Sequence, residues 1–217
     1  MKSILTISLS LLIAFSALAG KDKDKGFVGY VKYEIKTEGD LDAQEKAQQP
    51  TEMTISFSGP KARTEIVTPM QSQVLITNSE EKEMIILLDI MGNKVALTTG
   101  KEDFEKSKEE MPKTEVNITD ETKEIAGYTC KKAEVITDGN TSVYWFTEDL
   151  KVDDPNWYTN YSEIKGVLLE YKIVTENFTQ SYKAVEVKKK KRKDYLFEVP
   201  VGYKKMTAEE FQEMMGG

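Results

Sequence analysis

Carboxylates are the most abundant side chains in this sequence that can take part in acid–base chemistry. Asp and Glu together number 37 of 217 residues, so carboxylate pairs must lie close together in any fold. Such a pair can serve as a general acid and base, but no motif distinguishes one pair from the others. A Ser–Lys nucleophile is also left open, because no motif marks a reactive serine.

Histidine is absent from the sequence, and Cys130 is the only cysteine. These two facts exclude His-based catalytic triads and the usual zinc, haem, copper and iron–sulfur sites. A single cysteine cannot form a disulfide within the chain, so we expect Cys130 either to be buried or to pair between molecules. We therefore predict a protein that is not an enzyme and that has no metal or cofactor.

The first 19 residues have the pattern of a cleavable signal peptide. Lys2 precedes an apolar run over residues 4–15, and residues 17–19 read Ala-Leu-Ala, which is a small-residue cleavage site. The run is shorter than the roughly 20 residues needed to span a bilayer, so no transmembrane segment is expected after cleavage. We predict cleavage after Ala19, a periplasmic or secreted protein, and one domain over residues 20–217.

Charge limits the class of partner. The formal net charge is −7, which argues against nucleic acid because phosphate binding needs clustered positive charge. One basic run opposes this trend, and it consists of Lys188, Lys189, Lys190, Lys191, Arg192 and Lys193. The run either contacts an anionic surface or is a solvated strand end.

The elements that would position these residues are mostly β-strands. Residues 125–147 predict a hairpin that turns at Asp138-Gly139-Asn140, where glycine can adopt the positive φ of a tight turn. Short alternating segments between turn signals recur from residue 26 to 99, which is typical of an antiparallel sheet, sandwich or barrel. Met84 to Leu88 is continuously apolar and predicts a strand covered on both faces. Residues 195–199 predict a last short strand.

Two further segments stand out beside the strands. Thr207 and Glu210 form a capping box that predicts a C-terminal helix, with an apolar stripe that should bury itself on the sheet. The connection over residues 148–166 carries Trp157, Tyr158 and Tyr161. We interpret these aromatic residues as anchors that pack the loop onto the core, with a lid over a cavity as the alternative.

Four stretches together resemble a family of exported proteins known as domain of unknown function 4412, which is related to the GLPGLI family. The stretches are residues 125–133 (IAGYTCKKA), 145–150 (WFTEDL), 164–171 (IKGVLLEY) and 197–206 (FEVPVGYKKM). The resemblance implies a mainly β fold of the LolA/LolB lipoprotein-carrier type, a strongly curved antiparallel half-barrel with a C-terminal helix and one or two short helices in loops. Members of that group hold acyl chains in an apolar cavity.

The resemblance implies binding of an apolar ligand, either lipid or a lipidated partner such as a lipoprotein. Six residues are expected to line the ligand cavity: Phe57, Ile86, Trp145, Tyr171, Phe211 and Met214. The alternative is that these six residues fill an ordinary hydrophobic core. An envelope module that binds another protein without a ligand cavity is the second alternative. A hydrolase of unknown type is the third.

Overall fold

The computed structural model describes residues 26–68, 72–90 and 92–215. The predicted signal peptide and its cleavage site lie outside these residues. Within them, no helix is both long enough and apolar enough to cross a membrane.

Within the described residues, twelve strands form a single open sheet. The strands are β1 (Gly29–Gly39), β2 (Glu52–Ser58), β3 (Lys61–Val67), β4 (Ser72–Asn78), β5 (Glu83–Ile90), β6 (Asn93–Thr99), β7 (Thr114–Ile125), β8 (Tyr128–Thr137), β9 (Asn140–Thr147), β10 (Val167–Val174), β11 (Phe178–Lys189) and β12 (Lys204–Met206). The α-helices are α1 (Ala43–Gln48), α2 (Lys101–Glu109) and α3 (Ala208–Met215), and a 3₁₀ helix covers Asp194–Phe197. The mainly β prediction, with a C-terminal helix and short loop helices, is confirmed.

The first strand lies at the centre of the sheet. The spatial order is β12-β6-β5-β4-β3-β2-β1-β11-β10-β9-β8-β7, so β1 joins two meanders, one formed by β2–β6 and one by β7–β11. The neighbouring strands are antiparallel, except that β12 runs parallel to β6. Residues distant in sequence therefore meet across the β1–β11 pair, where Tyr33 opposes Ala184 and Ile35 opposes Tyr182.

Local patterns in the sequence set several of these elements. In β1, Val31, Tyr33 and Ile35 are buried while the residues between them point to the wetter face, which confirms the predicted alternation. The predicted hairpin is β8–β9, and its turn has positive φ at both Asp138 (50°) and Gly139 (78°). Positive φ at both central residues is the backbone geometry that two-residue hairpins favour, because its twist matches that of the flanking strands.

The predicted capping box at the start of α3 is confirmed. The Glu210 backbone N–H donates to Thr207 Oγ1, and the Thr207 N–H donates to the Glu210 carboxylate. The apolar stripe behind it is not buried as expected, because α3 lies beside β6 near the sheet edge. Phe211 is only half-buried and Met214 is 50% exposed.

Two other local predictions are wrong. Strand β5 is not covered on both faces, since Ile85 and Leu87 are buried while Ile86 between them is 40% exposed. A continuous apolar run carries no period, so it cannot show which face is covered. The predicted last strand over residues 195–199 is instead a 3₁₀ helix that buries Phe197.

Candidate functional site

A small pocket lies between β1–β3, the start of β10 and the loop over residues 148–166. Its volume is about 60 Å³. Its polar lining consists of Tyr33, Thr64, Asn156, Tyr158, Tyr161 and Tyr171, and we call it the tyrosine pocket. A pocket of this size holds a few water molecules, so it suits one substituent of a ligand rather than an acyl chain.

Asn156 holds the loop that forms one wall of this pocket. Its side-chain Nδ2 donates to the backbone oxygens of Ile164 (2.6 Å) and Gly166 (2.9 Å), and the residue is 7% exposed. Two buried carbonyl oxygens thereby accept hydrogen bonds that the irregular loop backbone does not provide. The two hydrogen bonds therefore connect one end of the loop to the backbone where the loop meets β10.

Trp157 anchors the same loop on the opposite side. It is 4% exposed, its ring meets Phe104 of α2 edge-on with centroids 4.8 Å apart, and Lys82 Nζ lies 4.9 Å from its ring centroid. The prediction that aromatic residues pack this loop onto the core is confirmed for Trp157, whereas Tyr158 and Tyr161 line the tyrosine pocket.

Asp154, which lies in the same loop, forms ion pairs with two lysines. Its carboxylate accepts hydrogen bonds from Lys82 Nζ at 3.0 Å and Lys165 Nζ at 2.9 Å. Partial burial acts to raise the pKa of Asp154, but these two lysines outweigh it and hold the pKa below its ordinary value. Because Lys82 is the last residue of the β4–β5 turn, its ion pair with Asp154 connects the loop to the other half of the sheet.

The tyrosines fall into two groups by hydrogen bonding. The Tyr33 hydroxyl donates to the Leu168 backbone oxygen at 2.6 Å, and burial raises the pKa of Tyr33 well above its usual range. The hydroxyls of Tyr158 and Tyr171 form no hydrogen bond with any residue in the described part of the chain. Burial also raises the pKa of both groups, so they stay protonated at neutral pH. They are therefore two neutral donors that a ligand in the pocket can use.

Only two of the six predicted cavity residues line this pocket, namely Phe57 and Tyr171. Ile86 is exposed on β5, and Trp145 lies on β9 with Lys123 Nζ 4.2 Å from its ring centroid. Phe211 and Met214 lie on α3 beside β6. The structure thus does not gather the six residues into one cavity.

Sequence reasoning missed Tyr33, Asn156, Tyr158 and Tyr161 as pocket residues. The aromatic content of the loop was a usable signal for Tyr158 and Tyr161, but it predicts a packed loop and a binding wall equally well. No signal marks Asn156, because its two acceptors become neighbours only when the loop closes.

The basic run does not form one uniform surface. Lys188 and Lys189 end β11, and Lys190 and Lys191 are exposed. Arg192 is half-buried, donates to Ser56 Oγ, and lies 5.4 Å from the Tyr30 ring centroid. Contact of this run with an anionic surface stays a prediction.

Cys130 is buried, with 0% of its surface exposed. Burial raises the pKa of its thiol to about 11, since the thiolate would lose its hydration there. The first of the two sequence alternatives, a buried cysteine, is confirmed.

Comparison with known families and structures identifies what this chain is similar to. Residues 41–207 match the family model described as the N-glycanase peptide, N-terminal domain. Two solved structures of PNGF-II, in the P21 and C2 space groups, are 20% and 21% identical, each with a TM-score of 0.57 over 87% of this chain. At this sequence identity, the structural similarity shows that the chain shares the fold of these two structures. The chain spans about a third of the length of those solved chains, 33% and 32%. No curated protein matches the chain.

The family match corrects the earlier resemblance. Assignment to domain of unknown function 4412 and to the LolA/LolB carriers is wrong, because residues 41–207 match a different family. The quoted stretches form parts of β8, β9, β10 and the β12 region. Strand and turn patterns of this kind are set by the pleat and by turn geometry, so unrelated antiparallel sheets share them.

The functional predictions drawn from that resemblance are also overturned. Binding of lipid or a lipidated partner is not supported, because the match is to an N-glycanase domain. The prediction that the protein is not an enzyme is wrong for the same reason, since the family takes its description from an enzyme. The hydrolase alternative agrees better with the match than the lipid-binding prediction does.

Proposed function

Because the chain belongs to the N-glycanase peptide N-terminal-domain family, we propose that it recognises the N-glycans of glycoproteins and acts in their enzymatic removal. The match over residues 41–207 is the observation that carries this proposal. Since the chain spans about a third of the solved PNGF-II chains, we assign recognition of the glycan to it and treat glycan release as a separate readout.

The chemistry of the tyrosine pocket supports this proposal. Sugars present hydroxyl and amide groups together with apolar C–H faces. The free hydroxyls of Tyr158 and Tyr171 supply donors, and their rings supply flat apolar surface. A pocket of about 60 Å³ takes one sugar substituent, and the rest of the glycan extends over the open side.

We also propose that the protein acts outside the cytoplasm, because the sequence predicts a signal peptide that is cut after Ala19. The N-terminal sequence of the protein isolated from the extracellular or periplasmic fraction of its host tests this. We expect it to begin at Gly20. An uncut N-terminus in the cytoplasmic fraction would contradict the proposed location.

The proposed function is tested with two assays on the same purified protein. Isothermal titration with a neutral oligosaccharide freed from a glycoprotein measures recognition. Mass spectrometry of a denatured glycoprotein, before and after incubation, measures release of its glycan. We expect binding of the oligosaccharide, and no binding of a lipid with the same headgroup polarity but no sugar.

Each outcome has a defined meaning. Binding that depends on Tyr171 supports recognition at the tyrosine pocket, and loss of glycan mass from the substrate supports catalysis by this chain itself. A protein that neither binds the oligosaccharide nor releases it would overturn the proposed function.

A further inference from the structure

A second, larger depression lies on the other face of the sheet. Its volume is about 170 Å³, and it spans β1, β11 and β10. The side chains that give it polarity are Glu34, Lys36, Glu170, Lys172, Ser181 and Lys183, and we call it the charged trough.

Strand alternation separates the charged trough from the tyrosine pocket. Glu34 and Lys36 alternate with Tyr33 and Ile35 along β1, and Glu170 and Lys172 flank Tyr171 on β10. Successive side chains of a strand point to opposite faces. The polar side chains of the charged trough therefore lie on the opposite face of the sheet from the tyrosine pocket, although Tyr171 belongs to the lining of both.

One cross-strand row of the trough is balanced in charge. Glu170, Lys183 and Glu34 are register partners across β10, β11 and β1. Glu170 is bound by Lys123 Nζ at 2.6 Å and lies 3.9 Å from Lys183 Nζ. Opposite charges on neighbouring strands attract each other in such a row, as they do on the solvent-exposed face of an ordinary sheet.

The next row is not balanced. Lys172, Ser181 and Lys36 are register partners across the same three strands, and this row contains no carboxylate. Among the described residues Lys172 has no ion pair, and Lys36 has only Glu34 at 3.7 Å, with both side chains largely exposed. The Ser181 hydroxyl also forms no hydrogen bond within the described part of the chain.

The spacing lets these groups meet on one ligand. Neighbouring strands lie about 4.8 Å apart, so the two lysines start about 10 Å apart on either side of Ser181. Each lysine carries a flexible four-carbon chain with three donors at its end, which allows both ammonium groups to close over the serine. In a chain with a net charge of −7, this row carries two positive charges, and only Lys36 has a carboxylate partner.

We propose that the charged trough binds an oxyanion, such as a phosphate, sulfate or carboxylate, carried by an acidic glycan. Lys36 and Lys172 supply the ammonium groups and Ser181 donates its hydroxyl. This inference rests on the proposed function and adds to it a second binding site, on the opposite face of the sheet from the tyrosine pocket, for glycans that carry an acidic group.

The experiment compares four oligosaccharides of the same core by isothermal titration at low salt. One is neutral, one carries a phosphate monoester, one a sulfate ester and one a terminal sugar carboxylate, with inorganic phosphate as a competitor. Because the two sites lie on opposite faces of the sheet, we expect at least one acidic form to bind separately at the charged trough, about fivefold more tightly than the neutral form binds the protein. This advantage should shrink as salt is added, because exposed charges are screened.

Two double variants test whether the tighter binding of the acidic form arises at the charged trough. The double variant Lys36→Gln/Lys172→Gln should abolish the advantage of the acidic form and leave affinity for the neutral form unchanged. The matched control Lys188→Gln/Lys189→Gln removes two exposed charges from the basic run and should keep the advantage. Comparison of the three acidic forms identifies which oxyanion the trough prefers.

The proposal is overturned if no acidic group raises the affinity, or if the advantage survives in Lys36→Gln/Lys172→Gln. Displacement by inorganic phosphate of the acidic form alone supports an oxyanion site. If the wild-type protein does not bind the neutral oligosaccharide, that result counts against the proposed function instead. Failure of the oxyanion proposal is thus seen in the titrations with acidic oligosaccharides, and failure of the proposed function in the titration with the neutral one.

Discussion

Tyr171 and Tyr182 stack across β10 and β11 with ring centroids 4.7 Å apart and planes 3° from parallel. They are direct register partners, so the backbone pairing itself places the rings together. Tyr182 in turn donates its hydroxyl to Gln180 at 2.9 Å. The stack fixes the Tyr171 ring at the wall of the tyrosine pocket while its hydroxyl stays available.

Replacing Tyr171 with phenylalanine separates these two roles. Tyr171→Phe keeps the stacked ring and removes only the free hydroxyl, so we expect glycan affinity to fall about fivefold, the equivalent of one neutral hydrogen bond of about 1 kcal/mol. The free energy of unfolding should change by less than about 0.5 kcal/mol. The matched control is Tyr195→Phe, an exposed tyrosine outside the pocket. Equal affinity of wild type and Tyr171→Phe would show that this hydroxyl does not contact the glycan.

Asn156→Ala should destabilise the protein, because two buried carbonyl oxygens lose their donor. We expect the free energy of unfolding in urea to fall by about 2–4 kcal/mol. The control Asn117→Ala, at an exposed position of β7, should cost less than about 0.5 kcal/mol. A small effect at Asn156 would mean that water replaces the lost amide.

Asp154 should give the loop a pH-dependent anchor. Its pKa is lowered in the folded protein, so the carboxylate stabilises the fold fully above about pH 4. That contribution is lost as the pH falls through the lowered folded pKa, because protonation then removes the attraction to Lys82 and Lys165.

The variant Asp154→Asn isolates this contribution. At pH 7 we expect it to lower the free energy of unfolding by about 1 kcal/mol, and the difference from wild type should shrink at pH 3. Asp120→Asn, at an exposed position, serves as the control. A gap between wild type and Asp154→Asn that is equally large at both pH values would argue for a packing role of the side chain.

Cys130 should be unreactive in the folded protein. With full burial and a thiol pKa of about 11, little thiolate forms at pH 8 and reagents cannot reach it. We expect a chromogenic disulfide reagent to react only on the timescale of unfolding, and at once when concentrated guanidinium is present. Rapid reaction of one thiol per folded chain, or a disulfide-linked dimer on a non-reducing gel, would contradict this burial.

Much of the local structure could be predicted because the signals are local. The β8–β9 turn depends on the φ values that Asp138 and Gly139 accept, and the α3 cap depends on Thr207 and Glu210 three residues apart. Neither requires a distant partner. By contrast, alternation predicts that Ile85 and Leu87 share a face but cannot show that Ile86 opposite them is left exposed.

The site was less predictable because its parts come from separate regions of the chain. Tyr33 bonds the Leu168 oxygen across 135 residues, and the sequence does not specify that β1 pairs with β11. The aromatic residues of β9, β10 and the 148–166 loop suit an apolar cavity, a core or a polar pocket equally. The lipid-binding prediction failed because the family resemblance from which it was drawn is wrong.

The sequence by itself determined the strand-rich class, the β8–β9 turn, the capped final helix and the absence of histidine chemistry, because composition and short-range sterics decide these properties. Only the tertiary structure decided that Tyr158 and Tyr171 leave their hydroxyls unpaired in one pocket, and that Lys36 and Lys172 flank Ser181 on the opposite face. The physical reason in the first case is the packing of the 148–166 loop onto the sheet. In the second case it is strand register, which brings Lys36 to within two strands of Lys172, more than a hundred positions away, and which no local preference of the chain encodes.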